Sequence, residues 1–107
     1  MLVTASKYLV PKGYVAITIF PFIILRNKAH KSDEVLLNHE RIHLRQQLEM
    51  LVIPFFLWYS IEFLYHLVGC RDFQRAYRKI RFENEAYSNE KSPDYLKSRP
   101  FWNFVKY

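Results

Sequence analysis

Hydrophobic and polar positions change rhythm several times along this chain, and each rhythm predicts an element. Residues 14–20 read YVAITIF behind Gly13, and Phe22, Ile23, Ile24 and Leu25 continue the run past Pro21. β-Branched and aromatic residues in such a run favour strands. A proline cannot donate to a central ladder, so the segment predicts an edge strand, or two short strands split by a bulge. From Leu36 the apolar spacing becomes three and four. Leu36, His39, His43, Gln47 and Met50 share one side of a helix, and Arg41 and Arg45 point the other way. Ser32 reads as its N-cap, with Asp33 and Glu34 in a first turn whose dipole favours negative charge.

Residues 51–69, LVIPFFLWYSIEFLYHLVG, are apolar nearly all round, which predicts a helix after a kink at Pro54. A further helix is expected from Asp72 to about Asn89, with Phe73, Ala76, Tyr77, Ile80, Glu83 and Tyr87 on its inner stripe. Ser92 and Pro93 suit the N-cap and first position of a short helix. The aromatic tail 101–107, FWNFVKY, is expected to dock on the core or to close over a site as a flap. Together these elements predict one α+β domain, mostly α, over residues 1–107. It would hold an edge strand or hairpin, the helix with His39 and His43 on its inner side, an apolar middle helix and a helix that turns Glu83 inward.

The candidate chemistry lies at His39-Glu40-Arg41-Ile42-His43, which reads H-E-x-x-H inside the first helix. Residues i and i+4 stand one turn apart, so two imidazoles there can converge on one Zn²⁺, with Glu40 beside them to take a proton from metal-activated water. A mononuclear catalytic zinc needs a third protein ligand and one open position. Cys70, His30 and His66 are available, but periodicity favours Glu83, which falls on the apolar stripe of its helix. Glu85 is rotated about 200° from it, on a solvated side with Arg78 and Arg81. An inward carboxylate is costly unless paired or metal-bound, so the competing reading of Glu83 is a partner for a buried Arg or Lys.

With these residues in view, the chain resembles the gluzincin-type HExxH zinc metallopeptidases, whose third ligand is a glutamate on a second helix. Glu83-Asn84-Glu85-Ala86 is similar to the E-x-E-A-D motif of membrane-embedded members, in which the first glutamate binds zinc. The Leu44-Arg45-Gln46 continuation and the apolar stretch after it resemble the bacterial antibiotic-sensor membrane peptidases. The likeness runs from Asn38 to Tyr87. It implies a minimal zincin-like core, Zn²⁺ held by His39, His43 and Glu83, Glu40 as catalytic base, and a peptide or protein substrate. Where the family carries an acid that orients a zinc-bound imidazole, this chain has Tyr87. Its phenol replaces that acid, points toward substrate, or belongs to the core. Tyr87, His30 and Tyr77 are the candidate helpers for an oxyanion.

Composition narrows the partners. The net charge of +6 comes from basic residues spread along the chain without a recognised nucleic-acid module, so no nucleic-acid partner is expected. Arg71 to Arg81 form the densest cluster, read either as a solvated face or as a contact with anionic lipid headgroups. The middle segment is long enough to span a bilayer, but Glu62 alone would cost about 2.5–3.5 kcal/mol at its centre. Burial in the core, a homodimer contact or a membrane-interface position also fit, and Glu62 and His66 can pair at i,i+4. One cysteine permits no internal disulfide. The first residues show no charged region leading into an apolar core and cleavage site, so a signal peptide is not expected and the location is cytoplasmic or membrane-associated. The expected function is zinc-dependent peptide hydrolysis. The alternatives are a non-catalytic zinc-binding or sensory module and a structural interaction protein.

Overall fold

The structure is a computed structural model describing residues 2–107; Met1, the first residue of the stretch scanned for a signal peptide, lies outside them. Three short strands, β1 (Leu2–Ala5), β2 (Ala16–Ile19) and β3 (Phe22–Leu25), form a sheet in the order β1-β3-β2. β1 runs parallel to β3, and β2 is antiparallel to it. The segment split by Pro21 is therefore a hairpin with β2 on an edge. Its turn is at Phe20–Pro21, and the Leu2 N–H donates to Pro21 C=O at 2.9 Å. The first strand had no counterpart in the sequence reading.

Five helices follow: α1 (Glu34–Met50), α2 (Val52–Cys70), α3 (Phe73–Lys79), α4 (Arg81–Asn89) and the single turn α5 (Tyr95–Ser98). The fold is α+β and mostly helical. α1 is the central element. Leu37 and Leu44 join Ala16, Ile23 and Leu25 in a cluster beneath the sheet. At its far end, Met50 joins Phe55, Ile80, Phe82 and Phe104 in an aromatic cluster shared by α2, α4 and the tail. The tail docks on this core: Phe104 is fully buried, its ring 4.7 Å from that of Phe82.

Several sequence expectations are corrected. The N-cap of α1 is Asp33, whose carboxylate accepts from Leu36 N–H at 3.1 Å, because a 3₁₀ turn (Lys28–Ser32) claims Ser32. Pro54 makes no kink. It sits in the first turn of α2, where no helical partner awaits its missing N–H, and the chain bends instead at Leu51, with φ 69°. The helix expected over 72–89 is two helices, broken at Ile80 with ψ 131°. In one continuous helix Ile80 and Phe82 would face apart by about 200°; the break lets both bury completely. The final short helix starts at Tyr95, two residues later than a Ser92 cap would set it. Ser92 instead accepts from Tyr95 N–H through its backbone carbonyl at 3.0 Å.

Candidate metal centre

One turn of α1 and one residue of α4 build the centre. His39 and His43 share the buried side of α1, and Glu83 enters from the first turn of α4. The Nε2 atoms of His39 and His43 lie 3.2 Å apart, and Oε1 of Glu83 is 3.2 Å from the first and 3.1 Å from the second. A tetrahedral ion with bonds of about 2.1 Å separates its ligand atoms by roughly 3.4 Å, so this triangle has the size of one coordination face.

Hydrogen bonds around the triangle fix which atoms point inward. Gln46 donates its amide to Phe82 C=O at 3.1 Å and to Glu85 Oε1 at 2.8 Å, which leaves its carbonyl oxygen to accept from Nδ1 of His43 at 2.8 Å. Nδ1 of His39 lies 2.7 Å from Oε2 of Glu90. With both Nδ1 atoms donating, the neutral imidazoles turn their Nε2 lone pairs toward each other and toward a carboxylate. Tyr59 donates to the other oxygen of Glu83 at 2.7 Å, so Oε1 is left for the centre. Three lone-pair donors converge in a buried space, an arrangement that calls for a cation. Without a metal, a proton takes that place. Burial opposes charge on His43, but the Glu83 carboxylate outweighs it and lifts His43 to about 9. Burial likewise opposes charge on Glu83, and the two histidines hold it well below the usual carboxylate range. The buried His39, His43 and Glu83 group can hold a metal ion.

Glu40 stands beside this group. Its Oε2 accepts from Thr18 Oγ1 of β2 at 2.8 Å, which orients the carboxylate and leaves the second oxygen for a proton. Glu40, His43 and Glu83 line one cleft of about 340 Å³, whose walls include Tyr14, Ile17, Ile19, Phe55, Tyr59 and Tyr77. Burial and the nearby Glu83 push the Tyr77 phenol far up, so it stays a donor. β2 forms another wall. Arg26 N–H donates to Val15 C=O at 2.8 Å, so the antiparallel alternation turns the backbone groups of Ala16 and Thr18 away from β3. Gln47 already occupies part of that edge, donating to Thr18 C=O and accepting from Phe20 N–H, both at 2.7 Å.

Tyr87 does not replace the missing acid. Its ring packs edge-on to His39 at 4.5 Å, under the guanidinium of Arg78 at 3.8 Å. Glu90 supplies the carboxylate instead, held in place because Asn38 of α1 donates to the carbonyls of Glu90 and Ser92 at 2.9 and 3.0 Å. Glu85 is also corrected. It is fully buried, not solvated, and its carboxylate accepts from Arg99 and from Tyr95. Arg81 leaves the solvated side as well, to pair with Glu62 at 2.8 Å. His66 approaches Glu62 only at 3.9 Å. His30, in the turn before α1, is not among the residues lining the cleft. Sequence reasoning missed Thr18, Gln46, Tyr59 and Glu90. Glu90 lies seven residues after Glu83 and Gln46 three after His43, so helical spacing carried a signal for both. Nothing in the sequence linked Thr18 or Tyr59 to the site. Comparisons with protein-family models, curated proteins and solved structures find no match.

Proposed function

We propose that this chain is a zinc-dependent metallopeptidase of gluzincin type, with His39, His43 and Glu83 as its zinc ligands and Glu40 as its catalytic base. The observation that carries the reading is the Glu40 carboxylate lining the same cleft as His43 and Glu83 while Thr18 fixes its orientation. Two imidazoles and one carboxylate are a donor set that zinc takes in hydrolytic centres. When bound, the ion polarises a carbonyl and makes water more acidic. Glu40 accepts the proton of the attacking water and delivers it to the leaving amine. Tyr77, held protonated, donates to the oxygen on which negative charge develops. An extended peptide pairs with the free backbone groups of Ala16 and with Thr18 N–H, and Gln47 limits the length of that pairing. The aromatic and aliphatic walls of the cleft suit an apolar side chain next to the scissile bond.

We also read the chain as membrane-associated. α2 is long and apolar enough to cross a bilayer, and only 6% of its most apolar window is buried. Its substrate is then a peptide or protein met at that surface.

Glu40→Gln tests the mechanism. The variant should bind as much zinc as the wild type and cleave a diverse peptide library at least a hundredfold more slowly, the loss of a general base. Equal cleavage by the variant would remove Glu40 from the reaction. Full zinc occupancy with no cleavage by the wild type would select the non-catalytic zinc-binding module instead.

A further inference from the structure

α2 is built inside out. Its inner stripe carries its one carboxylate and two hydrogen-bonding aromatics: Glu62 pairs with Arg81 at 2.8 Å and accepts from Trp58, while Tyr59 turns to Glu83. Its outward positions carry Ile53, Leu57, Ile61, Leu64, Tyr65 and Val68, each at least 58% exposed. No charged residue occupies an exposed position anywhere on this helix. A solvated helix face has the opposite composition, and contiguous apolar patches of this length on soluble proteins mark contact surfaces.

Charge identifies the occupant. Arg71 ends α2, and Arg75 and Lys79 are exposed on α3, which folds back so that Phe73 meets Phe63 at 6.0 Å. Lys79 lines one surface hollow with Ile61, Leu64, Tyr65 and Val68, so a cationic side chain borders the apolar face directly. Two copies meeting here would each bring a charge of +6. Anionic headgroups above hydrocarbon match both the apolar strip and its basic border.

We propose that the outer face of α2 seats in the interface of an anionic lipid bilayer, with the helix lying in the membrane plane and Arg71, Arg75 and Lys79 meeting lipid phosphates. This rests on the membrane-associated reading above and is independent of the hydrolase. A transverse pose is disfavoured because α3, with Arg75 and Lys79, and the Glu62–Arg81 pair would follow α2 into hydrocarbon. Phe56, also exposed on α2, lines the cleft.

Flotation of the full chain tests this, with vesicles of phosphatidylcholine alone and of phosphatidylcholine mixed with phosphatidylglycerol. The wild type should float with the mixed vesicles, and added salt should release it. Each charge removed by Arg71→Gln, Arg75→Gln or Lys79→Gln should weaken binding about fivefold, and the three together on the order of a hundredfold. These side chains lie at the surface, and unchanged circular dichroism will show that the variants fold. Equal binding to neutral vesicles would overturn the anionic assignment while keeping membrane association. No flotation with either vesicle, together with a dimer in sedimentation, would overturn both. Retention in membranes after alkaline carbonate extraction would overturn the in-plane pose.

Discussion

Each imidazole of the centre is fixed by what its other nitrogen touches. His43 is held by Gln46, whose own amide orientation is set by two further acceptors, and His39 by the Glu90 carboxylate at 2.7 Å. Such partners orient metal-binding imidazoles, and their loss costs about 10–100-fold in metal affinity. Glu90→Ala should therefore weaken zinc binding by that factor in a competition titration against a chelator, whereas Ser88→Ala, on the exposed side of α4, should leave it unchanged. Equal affinities for the Glu90 variant and the wild type would show that His39 needs no such partner. Glu83 could be read from the sequence because it sits on the apolar stripe of its own helix, a local property. Glu90 caps the end of α4, two turns beyond Glu83; the spacing hinted at it, but Asn38, which holds the chain there, comes from another helix.

At the scale of elements, both glutamates of one short helix are buried because each meets a different neighbour. α4 is covered on both sides. Glu83 faces α1, and Glu85 faces the tail, where Arg99 donates to it from Nε and also reaches Glu49 at 2.6 Å from Nη1. The side chains of Arg99 and Glu85 are both fully buried. Removing the cation strands two carboxylates, so Arg99→Met should lose about 3–5 kcal/mol in urea denaturation. A loss below about 1 kcal/mol, the scale of an exposed pair, would mean the tail is not locked in this way. Periodicity revealed helical segments through residues 36–50, 51–69 and 72–89, without the break in the last, and strand character on both sides of Pro21, as an edge strand or a split pair. It could not show Glu85 turned inward, because its counterion arrives from fourteen residues away in a segment with no apolar rhythm of its own. Nor could it show β1, whose four residues pair with β3 across a long connection.

In the whole molecule, α1 joins the layer beneath the sheet to the aromatic cluster of α2, α4 and the tail, and the proposed ion would clip α1 to α4 between these parts. The charge of +6 and the apolar segment were visible in the sequence, but not that the segment turns Glu62 and Tyr59 inward; that depends on Arg81 and Glu83, which lie on another helix. The proposed function requires three side chains from α1 and α4 to hold one zinc ion. Elemental analysis of the purified chain, wild type beside His39→Ala, tests it most directly. The account predicts one zinc per chain in the wild type and loss of most of it in the variant. Wild-type protein without stoichiometric zinc after incubation with the metal, or equal zinc in both proteins, would contradict it.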